Sequence, residues 1–163
     1  MKNNLIILGI AIVVIAGIVI FGGKNDTQQN IKTVKSSSPL IAESLEYDFG
    51  DIDIFGGKVS TDYVLTNTGS EDIVVTEGVT SCGCTDGEIG GQSFGMHFGI
   101  KDSVTIPAGE SIALTAIYDP LAHGPNATGA VTRMVKIMTN STETPELEVR
   151  FTANVTKEEV EQN

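Results

Sequence analysis

Short runs in which apolar and polar residues alternate with a period of two, turn residues between those runs, and the lack of any useful helical period between residues 43 and 156 predict an all-β protein. About seven such strands, separated by turn signals, predict an immunoglobulin-like β-sandwich. An uncharged apolar run near the start adds one N-terminal transmembrane helix ahead of that domain.

That run comes first along the chain. Leu5 to Phe21 reads LIILGIAIVVIAGIVIF and continues through Gly22 and Gly23. A spanning helix needs about 20 apolar residues. The apolar core of a cleaved signal peptide is usually about 7–15 long and ends at a small-residue cleavage site. No clear site of that kind follows, and no cysteine follows to take a lipid. Residues 1–23 therefore read as an uncleaved membrane anchor. Residues 24–42, opening KNDTQQNIKTVKSSSP, have no hydrophobic period and read as a polar linker. The sandwich is predicted over 43–156, and 157–163 (KEEVEQN) reads as a charged tail.

Within the domain, Leu45, Tyr47 and Phe49 alternate with Glu46 and Asp48. Val59, Tyr63 and Leu65 line one face of the next run, and Ile73, Val75 and Val79 follow. Ile112, Leu114, Ala116 and Tyr118 alternate cleanly, and Val135 and Ile137 sit in VTRMVKIMTN. Leu147, Val149, Phe151, Ala153 and Val155 are interleaved with Glu148, Arg150, Thr152 and Asn154. Each run is the pattern of a half-buried strand. Asn67-Thr68-Gly69 is expected to make a hairpin, with Gly69 at positive φ. Pro107-Ala108-Gly109 precedes a strand and Asp119-Pro120 closes one. From Gly83 to Gly99 the glycine-rich GCTDGEIGGQSFGMHFG reads as a long loop or loose hairpin, a length more typical of a functional segment than of a plain connector.

The formal net charge is −11, and within the sandwich the only bases are Lys58, Lys101, Arg133, Lys136 and Arg150. Such a surface repels phosphate backbones, so nucleic acid is not an expected partner. No G-x-S-x-G, H-E-x-x-H or phosphate-loop pattern is present, and no enzyme is expected. The acidic group Asp48, Asp51 and Asp53 lacks calcium-loop spacing and reads as surface acidity, as do Asp86 and Glu88.

The chemistry concentrates at Cys82-Gly83-Cys84, the only two cysteines. An extended C-x-C places both sulfurs on one side of a strand. Three readings follow. As thiolates they are soft ligands for copper(I) or zinc, with Met96 and His97 on the glycine-rich segment and His123 on another loop completing the set. The spacing matches no standard zinc pattern. As a bridge between i and i+2 they would close almost no chain, making a poor staple but an easily reduced, redox-active bond. Alternatively they are small buried hydrophobes or an incidental bridge beside a turn. The residues alone leave all three open.

Taken in order, YDFG (47–50), NTG (67–69), TSCGCT (80–85), PAGES (107–111), YDP (118–120) and TN (139–140) resemble the bacterial domain of unknown function fifteen seventy-three. The resemblance covers about residues 43–156. It implies an immunoglobulin-like sandwich of the hydin and abnormal-spindle type and an exported bacterial setting, and it brings no established reaction. The family's cysteines map onto Cys82 and Cys84. The glycine-rich Asp86–Ser103 stands where other members carry a shorter, often Trp/Pro-containing stretch.

Orientation follows the same argument. Lys2 before the anchor, against Lys24, Lys32 and Lys35 after it, leans by charge alone toward a cytoplasmic domain. The fold class and the resemblance imply an extracytoplasmic one. The expectation is thus a single-pass protein of a bacterial cell membrane. Its domain is a binding or structural module for an unknown protein partner, without a cofactor. Contact is expected through Cys82, Cys84, Phe94, Met96, His97 and Phe98. The alternative is copper or zinc handling, with Cys82, Cys84, Met96 and His97 as ligands, or thiol redox chemistry at the cysteine pair.

Overall fold

A strand that is apolar on one face must lay that face against another layer, and two such layers close a sandwich. The computed structural model describes residues 34–157. The anchor predicted over 1–23, the linker up to residue 33 and the tail beyond Lys157 lie outside the described residues. Among the described residues, no helix is long and apolar enough to cross a membrane.

Ten strands form two five-stranded sheets. They are β1 (Leu40–Ala42), β2 (Glu46–Asp53), β3 (Val59–Asn67), β4 (Ile73–Thr80), β5 (Thr85–Ile89), β6 (Gln92–Gly95), β7 (Val104–Ile106), β8 (Ser111–Tyr118), β9 (Gly129–Thr139) and β10 (Glu146–Thr156). One sheet has the order β1-β3-β8-β5-β6 and the other β2-β10-β9-β4-β7. All neighbours are antiparallel except β2 and β10. The predicted sandwich is therefore present with more strands than about seven. The additional ones are the three-residue β1 and β7 and the β5–β6 pair, too short or too glycine-rich to show a period of two.

The core forms where the alternation is cleanest. Leu114, Ala116 and Tyr118 of β8 face Val149, Phe151 and Val155 of β10 and Val135 and Ile137 of β9, all buried. Tyr118 and Phe151 rings pack 5.5 Å apart, and Phe49 meets Phe151 edge-on at 5.4 Å.

Several expectations need correction. Leu45 and Tyr47 are exposed, because β2 is an edge strand with one ladder neighbour and turns Phe49 and Ile52 toward the core instead. A bulge between Val75 and Glu77 advances β4 by one residue, so Gly78 and Thr80 turn inward and Val79 outward. Asn67-Thr68-Gly69 is not a hairpin. β3 and β4 lie in different sheets, and the motif is the corner between them. Gly69 has no positive φ, and its requirement is steric, since a Cβ there would overlap Ser38. Of the two forms expected for the glycine-rich stretch it takes the hairpin, β5–β6, turned by Gly90 and Gly91 at φ of 55° and 77°. The end of the predicted linker belongs to the sandwich. Ser36 bridges Ser141, Ser36 and Ser38 are buried, and Leu40–Ala42 pairs with β3.

β8 defines the two ends of the molecule. Ser111 lies opposite Thr66 at the Asn67 corner, and Tyr118 lies opposite Val59 and Thr85 at the other end. Ser36–Pro39, where the described chain joins the sandwich, packs at the Asn67 end against Gly69, Glu71 and Ser141. Cys82–Cys84 lies at the Tyr118 end, where the Asp119 N–H donates to the Cys84 carbonyl.

Candidate functional site

Residues 81–84 connect β4 in one sheet to β5 in the other. This crossing is heavily tied. Ser81 exchanges N–H···O bonds with Met134 of β9 through its backbone and its hydroxyl. The Thr80 hydroxyl lies within hydrogen-bonding distance of the Cys82 and Thr85 carbonyls, and the Thr85 N–H donates to the Cys82 carbonyl. Thr80 and Thr85 are buried, so a fixed polar frame holds the turn.

Within that frame Cys82 and Cys84 form a disulfide with Cα atoms 5.1 Å apart, inside the usual span of about 4.4–6.8 Å. The two sulfurs face different surroundings. Cys82 is partly exposed, and its Sγ lies 3.2 Å from Nε2 of exposed His123. Cys84 is buried, and its Sγ accepts a bond from Arg133 Nε–H at 3.1 Å. The same guanidinium lies 5.8 Å from the centre of the Tyr118 ring and donates to the Thr132 carbonyl. Burial holds the Tyr118 phenol above its ordinary value; Arg133 opposes that shift and Asp119 adds to it.

The structure separates the residues predicted to act here. Ligand atoms of Cys82, Cys84 and His123 lie within 4.8 Å of one another. His97 is outside that group, with Nε2 3.9 Å from the point where a Gly83 side chain would begin. Met96 and Phe98 are exposed beside it. Phe94 is no surface contact. It is fully buried, its ring lodged between Gly78 of β4 and Gly87 of β5 in the space their side chains would fill. Because Cys82 and Cys84 are bonded to each other, neither offers a thiolate to a metal in this form. The acidic cluster is committed to local bonds: Asp48 to Gly50 and Thr152, Asp51 to Asn154, Asp53 to Phe55.

Arg133 is the site residue that sequence reasoning missed, although a signal was present. It falls on the same phase of β9 as Val135 and Ile137, and a base on the core-facing phase of a strand needs a partner.

The chain belongs to the family described as "Protein of unknown function (DUF1573)", which matches residues 40–155. No curated protein matches it. Among solved structures, a protein of unknown function from Porphyromonas gingivalis W83 is similar at 15% identity and a TM-score of 0.58, over 77% of this chain and 51% of that one. The chain thus spans about half of that protein. The ASH / PapD-like domain of human CEP192 is similar at 11% identity and a TM-score of 0.50, over 78% of this chain and 93% of that one. These likenesses show the all-β, two-sheet PapD-like and immunoglobulin-like fold.

Proposed function

We propose that this domain is an extracytoplasmic binding module, tethered to a bacterial cell membrane by its N-terminal segment, which grips a protein partner with the end that carries Cys82. It performs no catalysis of its own and uses no resident cofactor. The observation that supports this reading is the group of exposed apolar side chains on the loops around the Cys82–Cys84 turn, at the end away from where the described chain enters. Around the tied Cys82–Cys84 turn stand the exposed side chains of Met96, Phe98 and Leu121, 49%, 52% and 43% accessible, with both histidines. The chain joins the sandwich at the opposite end, at Ser36–Pro39, so a tether there leaves the Cys82 end free. Loops at one end of a rigid sandwich are a common recognition surface. The long edge strand β2 is a weaker candidate, since Glu46, Asp48, Asp51 and Asp53 make it acidic and it is bulged against β10, both of which discourage strand addition.

The test is photo-crosslinking in the membrane of the source cell, with a reactive side chain placed in turn at Met96, Phe98 and Leu121. Exposed Ile41 at the far end serves as reference. A discrete adduct from the first three positions, lost in the double variant Met96→Ser/Phe98→Ser, is the expected result. Labelling from Ile41 as strong as from Met96, or no adduct from any site, sinks the reading. Excision of the hairpin is unsuitable, because it removes Phe94 from the core.

A further inference from the structure

We infer that the Cys82–Cys84 disulfide is a thiol-exchange centre, in which Cys82 is the sulfur attacked and Cys84 the sulfur that leaves. This is independent of the binding reading and rests on the different partners of the two sulfurs. The leaving sulfur in thiol–disulfide exchange departs as a thiolate, and departure is faster where that thiolate is stabilised. Arg133 already holds its Nε–H 3.1 Å from Cys84 Sγ and cannot lose its charge. Cys84 is buried and out of reach of an incoming thiol, whereas Cys82 is partly exposed. A structural bridge needs no such polarity, and one that closes a single intervening residue restrains almost no chain.

The co-reactant is a thiol pair: a dithiol, or two molecules of a monothiol such as glutathione. The first thiol gives its proton to water, and its sulfur bonds to Cys82 Sγ. The Cys82–Cys84 bond breaks, and its electron pair leaves on Cys84 Sγ beside Arg133. The second thiol attacks the first reagent's sulfur in this mixed disulfide and releases Cys82. His123, with Nε2 3.2 Å from Cys82 Sγ, is placed to hand that sulfur a proton and to recover one from solvent. The second thiol also gives its proton to water; two electrons have then passed to the domain, with Cys82 left as a thiol and Cys84 as a thiolate paired with Arg133, while the reagent leaves as a disulfide and one net proton stays in solvent.

The experiment uses the full chain in mild detergent, exposed to millimolar glutathione at constant pH, with free thiols trapped by a maleimide and counted by mass spectrometry. Near-UV circular dichroism monitors the fold. Reduction without loss of the folded signal is expected. In Cys84→Ser the remaining Cys82 should accumulate a glutathione adduct from oxidised glutathione, whereas in Cys82→Ser the remaining Cys84 should not. Arg133→Gln should slow reduction about threefold or more, because the departing thiolate loses the charge that stabilises it, and Arg133→Lys should restore most of the rate. The inference is overturned if the bond opens only as the domain unfolds, if the adduct forms on Cys84, or if folded Arg133→Gln reacts at the wild-type rate. Should Arg133→Gln fail to fold, the two serine variants decide the matter.

Discussion

Tyr63 shows how a single polar atom is accommodated in this core. Its ring is buried, and its hydroxyl crosses between the sheets to donate to the Arg150 carbonyl at 2.7 Å. Burial, with a smaller push from Tyr47, raises the phenol from its ordinary 10.0 to about 12. A group whose value is raised on folding supports the fold below its unfolded value. That support is lost as pH climbs through the folded one. Unfolding midpoints of the wild type should therefore fall between about pH 10 and 12, and Tyr63→Phe should remove this component while costing about 0.5–1.5 kcal/mol at neutral pH. Ultraviolet titration of phenolate alongside chemical denaturation checks both. Asn67 is a second case. Its fully buried amide donates to the Glu71 and Ile106 carbonyls and accepts from the Gly69 N–H, joining the β3–β4 corner to the end of β7. The sequence marked Asn67 and Gly69 as a turn, but a two-residue pattern cannot say whether the next strand stays in the sheet or leaves it.

Among elements, the β5–β6 hairpin departs most from its sequence pattern. Its glycines made it read as a loop or a loose hairpin, yet one of them, with Gly78 of β4 across the sandwich, is a cradle. Gly78 and Gly87 flank the Phe94 ring, and a Cβ on Gly78 would come within 2.6 Å of it. Phe94→Ala should lower the unfolding free energy by about 3–5 kcal/mol. Gly78→Ala should cost about 1–3 kcal/mol through overpacking. Combined with Phe94→Leu, its cost should fall well short of the sum of the two single changes, because the shorter side chain vacates the disputed space. Urea titrations of the four proteins measure this, and strict additivity would remove Phe94 from between the glycines. Strands β8 and β10 were legible to the residue, since both keep one face on the core throughout. β4 was legible only to its bulge, after which Val79 and Gly78 exchange faces. For the site, the cysteines and His123 were visible as chemistry. Which histidine meets the sulfurs was not, because a contact across 41 positions is set by how β8 and its following turn pack.

At the scale of the whole molecule, the segment Ser36–Pro39 ties the sheets together at one end. Ser36 pairs with the β9–β10 connection, while the Ser37 N–H and hydroxyl both donate to the Glu71 carboxylate on the β3–β4 corner. Those bonds, the backbone one foremost, hold Glu71 below its ordinary 4.5. A carboxylate depressed on folding supports the fold above its unfolded value and loses that effect as pH falls through the folded one. Acidification below about pH 4.5 should therefore loosen this strap first, seen as faster hydrogen exchange at the Ser37 amide. In Glu71→Gln that amide should exchange at a rate insensitive to pH across the same acid window, once the intrinsic pH dependence of exchange is divided out.

The course of the chain between the sheets carries one more consequence. β1 to β5 change sheet at every step, and among ladder neighbours only β5–β6 and β9–β10 are consecutive. β2 waits for β10, with Glu46 pairing to Arg150, and β10 lies between β2 and β9. A chain that emerges from its amino end thus holds β2 without its ladder partner until the last eleven residues of the sandwich are free. Assembly is governed by contacts distant in sequence, and such contacts form slowly. Folding is therefore expected to reach completion only after β10 has been synthesised, when β2 finds its ladder partner.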